Sequence, residues 1–198
     1  MSHSTSHPTV TPAPTATSTS WPRTVGRWMV SFVGFPIGGY ASYLLIGPVD
    51  SLIPSLVGGL LTGAVLGAVQ VWAFGRARPA TGRWIIGTAL GLMVGLGAGA
   101  AVVGYQTTLS ALLVQGAVTG FAVGAAQALV LAPRLGRVAL AWPAALTVIW
   151  AVGWAVTYAF GIQVEEQFTV FGSSGAVVVT ALTAALPLIL TTMKASRS

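Results

Sequence analysis

Residues 84–104 read WIIGTALGLMVGLGAGAAVVG, an apolar run of 21 residues that directly follows Arg83. A helix rises 1.5 Å per residue, so about 20 apolar residues cross the roughly 30 Å hydrocarbon layer of a bilayer. The run contains no charged side chain, and four of its glycines recur at intervals of four residues. It therefore predicts a transmembrane helix with a glycine-lined face.

Five more stretches of the chain resemble this one. The six predicted spans, none of which contains Asp, Glu, Lys, Arg or His, are 28–46, 55–74, 84–104, 110–132, 139–160 and 172–193. Only 6% of the residues are charged, against roughly 25% in a soluble protein, and the chain lacks the polar groups that a water-exposed surface requires. We therefore predict an all-α, polytopic membrane helix bundle over residues 23–198, with the lipid bilayer as its solvent.

The first residues differ sharply from the rest of the chain. Residues 1–20, MSHSTSHPTVTPAPTATSTS, are rich in Ser, Thr and Pro and offer little apolar surface to bury. Such a segment cannot offset the entropy of ordering itself. We expect residues 1–22 to form a disordered cytoplasmic tail.

Charge is segregated between the two sides of the predicted membrane. The acidic residues, which all fall on one side, are Asp50, Glu165 and Glu166. The basic residues, which all fall on the other side, are Arg23, Arg27, Arg76, Arg78, Arg83, Arg134, Arg137, Lys194 and Arg197. Cytoplasmic loops retain Lys and Arg, so both termini are predicted to be cytoplasmic, in an inner membrane. The basic residues stand singly at span ends, which favours contacts with lipid headgroups over nucleic-acid binding.

The sequence contains an internal repeat. Gly26-Arg27-Trp28 recurs as Gly82-Arg83-Trp84, and the segment from Gly59 to Gln70 recurs from Gly116 to Gln127. Both offsets are close to 57 residues, and each unit comprises two spans. A third, more divergent unit would begin near Val138. The spans are therefore predicted to form two or three parallel helical-hairpin repeats.

Glycines spaced four residues apart mark the helix faces that should pack most closely. In lipid, helices associate through close packing and interhelical hydrogen bonds, and small residues let backbones approach each other. The predicted packing positions, here called the glycine ladders, are Gly59, Gly63, Gly67, Gly87, Gly91, Gly95, Gly99, Gly116, Gly120 and Gly124. Three adjacent spans carry them, which predicts a compact bundle.

Four polar residues inside the spans are candidate functional positions. Gln70 and Gln127 lie at equivalent depths, on the same helix faces as their glycines, and Thr62 and Thr119 lie two turns deeper. An amide in hydrocarbon must find partners. One interpretation is that the glutamines brace neighbouring helices; the other is that the four residues line a polar cavity.

Proline and tryptophan add two local expectations. Pro36 and Pro187 interrupt the backbone hydrogen bonds of the first and last spans, so a kink is expected at each. The tryptophans near the inner span ends, which resemble an interfacial belt facing headgroups, are Trp28, Trp72, Trp84 and Trp142.

The residue types that are absent from the spans limit the functions that the chain can have. The spans contain no carboxylate, histidine, lysine, arginine or cysteine that could serve acid–base chemistry or bind a metal. We expect no enzyme activity, no cofactor and no metal site.

Two functions fit the sequence. The first is a non-catalytic scaffold or accessory subunit that packs through its glycine-rich faces, as a homo-oligomer or in a larger membrane complex. The alternative is a small-solute channel or carrier with a polar path near Gln70 and Gln127.

Overall fold

A computed structural model describes residues 21–162 and 173–195. These residues are 89% helical and include no strand. The α-helices, in chain order, are α1 (Trp21–Val30), α2 (Gly34–Ile46), α3 (Leu52–Phe74), α4 (Thr81–Val102), α5 (Leu109–Leu135), α6 (Ala141–Ala159), α7 (Ser173–Thr183) and α8 (Ala185–Ala195). Short 3-10 segments at Ser31–Val33, Gly75–Ala77 and Gly136–Leu140 extend or join them.

Within residues 21–162 and 173–195, five helical segments are long and apolar enough to cross a membrane. They are Trp21–Ile46, Leu52–Ala77, Thr81–Val102, Leu109–Ala159 and Ser173–Met193. The all-helical, membrane-type architecture predicted from the sequence is confirmed to this extent. Six separate segments are not confirmed. The fourth and fifth predicted spans belong to a single helical run of 51 residues, Leu109–Ala159.

That long run folds back on itself. Gly136 adopts φ 56°, a left-handed conformation that suits glycine, between α5 and α6. Gly116 then lies against Trp150, and Gly124 lies against Pro143. Contacts that run in opposite sequence directions require α5 and α6 to be antiparallel.

The observed helix bounds differ from the predicted spans mainly at the N-terminus. Helix α1 begins at Trp21, so Trp21 and Pro22 are helical although they were expected to belong to the disordered tail. Residues 1–20 lie outside the described residues, as do 163–172, which hold Glu165, Glu166 and most of the last predicted outer loop.

Both expected proline kinks coincide with interruptions of the helix. A 3-10 turn at Ser31–Val33 precedes Pro36 and includes Phe32, whose carbonyl loses its usual partner because proline has no N–H. In the last segment, α7 ends at Thr183 and α8 begins after Ala184. Pro187 stands four residues beyond Thr183, so the same loss of a donor accounts for the second break.

The helices form a closed ring. Each helix from α2 to α6 packs against the next one along the chain, and α1 contacts both α7 and α8. Phe74 lies between two indoles near the basic end of the ring, with ring centroids 4.8 Å from Trp28 and 5.1 Å from Trp84. Large apolar side chains such as Ile37, Phe121 and Leu129 point outward, as expected for a bundle surrounded by lipid.

The described charged side chains lie at opposite ends of the ring. Arg27 donates a hydrogen bond to the carbonyl oxygen of Trp72, and Arg134 donates one to that of Ala77, so the basic ends of α1, α3 and α5 meet. Asp50 precedes the far end of α3. For the charged side chains that the structure describes, the segregation seen in the sequence is thus also seen in the folded bundle.

Candidate functional site

The glycine ladders lie at successive helix–helix contacts. Gly59, Gly63 and Gly67 face α4, where a Cβ built on Gly63 would stand 2.7 Å from the Cα of Ala89. Alanine at Gly63 would therefore clash with backbone. The row of four on α4 faces α5 in the same way, with a Cβ on Gly95 falling 2.7 Å from the Cα of Thr119.

The ladder on α5 makes the tightest of these contacts. A Cβ on Gly124 would stand 2.6 Å from the Cα of Pro143, and one on Gly120 would overlap the carbonyl of Leu146. Gly87, Gly91, Gly99 and Gly116 also contact the adjacent helix of this chain. Each ladder therefore packs against a helix of the same chain and is not available to a partner.

Three tryptophans donate hydrogen bonds across the half of the ring that carries the basic residues. The indole nitrogen of Trp84 donates to Gln70 Oε1 at 3.0 Å, and that of Trp142 donates to Gln127 Oε1 at 2.8 Å. Trp28 donates to the Thr180 carbonyl oxygen at 3.0 Å and to Thr183 Oγ1 at 3.1 Å. The six side chains Trp28, Gln70, Trp84, Gln127, Trp142 and Thr183 are here called the polar cluster.

Within the polar cluster, the Gln127 amide forms hydrogen bonds through both its oxygen and its nitrogen. Its Oε1 accepts from Trp142, its Nε2 donates to Thr88 Oγ1 at 3.0 Å, and the side chain is buried. It therefore connects α4, α5 and α6. Interhelical bonds of this kind contribute on the order of 0.6 to 2 kcal/mol each in a membrane.

All six members of the polar cluster line one small internal cavity. Its volume is about 20 Å³, and its apolar wall includes Phe35, Leu66, Val123, Leu146 and Trp150. A cavity of roughly 10–15 Å³ accommodates one water molecule. The cavity is therefore of a size for about one water, and it is too small for a solute.

Gln70 and Gln127 thus meet at one site, whereas Thr62 and Thr119 do not join them. Thr62 Oγ1 lies 3.1 Å from Ser42 Oγ, and Thr119 donates to the Gln115 carbonyl at 2.7 Å. Neither threonine lines the cavity. The two predicted pairs are separate structural features.

The predicted tryptophan belt is wrong for two of its members. Trp28 and Trp84 are 1% and 0% exposed, and both indoles point into the ring. Trp142 is partly buried and also turns inward, to Gln127. Trp72, in contrast, is 52% exposed. Internal acceptors offered by Gln70 and Thr183 make burial favourable, because a buried indole N–H needs a partner.

Thr183 was missed by reasoning from the sequence, although a signal was present. Trp28, Trp84 and Trp142 stand 56 and 58 residues apart, and Gln70, Gln127 and Thr183 stand 57 and 56 apart. Continuing the offset beyond Gln127 would have led to Thr183. Replacement of glutamine by threonine at that position concealed the correspondence.

No group of three or more potential metal ligands occurs among residues 21–162 and 173–195. In comparisons with known proteins, no family model matches the chain, and no curated protein or solved structure is significantly similar to it. What the chain does must therefore be argued from its own geometry.

Proposed function

We propose that this chain is a multi-pass membrane protein that acts as a non-catalytic scaffold or accessory subunit. The observation that carries the proposal is the direct pairing of the interior polar groups. The amides of Gln70 and Gln127 bond to indoles of neighbouring helices, and the space between them has a volume of only about 20 Å³. A bundle whose polar groups bond one another in this way is braced from within.

The reversal between α5 and α6 supports six membrane crossings. α5 has 27 residues and α6 has 19, and each is long enough to cross roughly 30 Å of hydrocarbon at 1.5 Å per residue. Counting this antiparallel pair as two crossings gives six in total. The basic ends of the helices then face the cytoplasm, with both termini on that side of an inner membrane.

The polar cluster also supports three parallel repeats. Trp84 of the second hairpin bonds Gln70 of the first, and Trp142 of the third bonds Gln127 of the second. Trp28 of the first hairpin completes the cycle on α7 of the third, through Thr183. Equivalent bonds between successive units are what a threefold arrangement about the membrane normal predicts.

Because the glycine ladders are already in contact within the chain, a partner would have to bind another surface. The ladder glycines contact helices of the same chain, so a second copy or a larger complex would bind the outer apolar surface instead. That surface includes Ile37, Val94 and Phe121. Association through it would rest on the packing of lipid-facing side chains.

The second candidate is a small-solute channel or carrier. One observation favours it: Gln70, Gln127 and Thr183 converge on a single cavity near the centre of the ring. Conduction would require that cavity to expand well beyond the space for about one water. The tryptophan–glutamine bonds oppose such expansion.

A flux assay separates the two candidates. The purified chain is reconstituted into liposomes, and uptake of water, glycerol and sodium is compared with that of protein-free vesicles. The scaffold proposal predicts no uptake above background, together with a detergent-extracted native complex larger than the 20.1 kDa chain in its micelle. Uptake by wild type that disappears in Gln70→Leu and Gln127→Leu would establish the channel instead.

A further inference from the structure

A second, larger cavity opens at the basic end of the bundle. Its volume is about 410 Å³, and it is lined by Arg27, Val71, Trp72, Gly75, Arg76 and Arg78. Sites for small ligands usually measure about 300–1,000 Å³. This cavity, here called the arginine cavity, thus combines the volume of a ligand site with three guanidinium groups.

Arg27 is held in a fixed position at the wall of the arginine cavity. Its Nη2 donates to the Trp72 carbonyl oxygen at 2.5 Å, and its guanidinium lies 5.0 Å from the centroid of the Trp72 ring. Gly75 has φ 58°, and a Cβ there would stand 2.8 Å from Arg27 Nη1, so glycine leaves room for the guanidinium. A preorganised guanidinium loses little entropy when it binds an anion.

The acidic side chain that the structure describes lies far from the arginine cavity. Among the residues described, the one carboxylate side chain is Asp50, which lies at the opposite end of α3. The Nε atom of Arg27 is buried and has no hydrogen-bond partner. Arg76 and Arg78 are exposed to solvent at the mouth of the cavity. Two exposed guanidinium groups beside the positioned guanidinium of Arg27 make this cavity electropositive, which favours an anion as its ligand.

We propose that the arginine cavity binds a phosphate group. Arginine forks match the oxygens of phosphate, and three guanidinium groups can neutralise the charge of a phosphomonoester. Trp72 is half-exposed beside them, as expected of an aromatic side chain at the boundary between headgroups and water. The phosphate belongs either to the headgroup of an anionic phospholipid or to a soluble phosphate compound.

Native mass spectrometry in detergent with added phosphatidic acid tests the lipid source. Wild type should retain one phosphatidic acid per chain, and Arg76→Gln/Arg78→Gln should weaken that binding about thirtyfold. Arg78→Gln alone should weaken phosphatidic acid binding about fivefold. This single variant tests the proposal if the double variant does not fold. The matched control is Arg83→Gln/Arg137→Gln, which removes the same charge from exposed positions outside the cavity. Its effect should stay below about threefold, because separated surface charges are screened.

A second arm replaces the lipid with inorganic phosphate. Thermal unfolding of the detergent-solubilised chain is followed in phosphate and in chloride at equal ionic strength. A higher midpoint in phosphate, lost in Arg76→Gln/Arg78→Gln, identifies a soluble phosphate compound, whereas lipid retention without that rise identifies a headgroup. Equal weakening by both double variants overturns the proposal, and so does the absence of both effects.

Discussion

The indole nitrogen of Trp142 donates a 2.8 Å hydrogen bond to the amide oxygen of Gln127, which joins α6 to α5 at the basic end of the ring. The same amide donates through Nε2 to Thr88 on α4. One side chain therefore satisfies two partners on two different helices. In hydrocarbon, removal of such a side chain leaves both partners without a substitute from water.

Gln127→Leu should be the most destabilising of the polar substitutions. It leaves the Trp142 N–H and the Thr88 hydroxyl without their partner, and we expect a loss of about 1–3 kcal/mol in the free energy of unfolding. Unfolding by sodium dodecyl sulfate in mixed micelles, followed by tryptophan fluorescence, measures the change. Gln70→Leu, which removes one indole bond, is the control and should cost about half as much. A larger loss at Gln70 would contradict this ranking.

Gly120→Ala should also destabilise the bundle strongly. The added methyl group would overlap the carbonyl of Leu146, so α5 and α6 must separate. Forcing extra atoms into a packed contact costs roughly 1–3 kcal/mol. The control is Gly82→Ala, where a Cβ meets no atom within 4 Å and alanine is the better helix former. Mixed-micelle unfolding should therefore show a loss at position 120 and none at position 82; similar losses at both would refute close packing of α5 on α6.

Much of the fold could be predicted from the sequence because apolar length and glycine spacing are local signals. The apolar run at 84–104 corresponds to the helix Thr81–Val102. The glycines spaced four residues apart lie on helix faces that contact neighbouring backbones. Which neighbour each face meets depends on how the ring closes. Contact between α1 and α7 is a long-range property with no local pattern.

The candidate site was predicted in part for a similar reason. Gln70 and Gln127 were found because an amide in an apolar span must have partners. Thr183 was not found, since threonine is common in membrane helices and often bonds only its own backbone. Trp28 and Trp84 were placed at headgroups, because the end of a span suits an indole whether it points outward to lipid or inward to an acceptor. Periodicity alone did not distinguish these two directions.

Trp28→Phe should weaken closure of the ring. Trp28 is 1% exposed, and its indole bonds Thr180 and Thr183, so it links the first helix to the last segment. Phenylalanine keeps most of the apolar volume and removes the donor, for an expected loss of about 1 kcal/mol. Trp21→Phe is the control, because Trp21 is 68% exposed. Unfolding in mixed micelles should separate the two variants, and equal midpoints would show that the Trp28 bond contributes nothing to stability.

Single cysteines at exposed loop positions should report the six crossings and their direction. The chain has no cysteine of its own, and replacing Ser51, Ala80, Gln106, Val138 or Phe160 leaves every arginine in place as an orientation signal. Positions 51, 106 and 160 should react with a membrane-impermeant maleimide in intact cells, whereas 80 and 138 should react only after permeabilisation. Position 160 tests the α5–α6 reversal, since a single crossing by residues 109–159 would put Phe160 on the cytoplasmic side. Labelling of positions 51 and 80 from one side would contradict a membrane crossing by α3, and with it the charge segregation on which the proposed orientation depends.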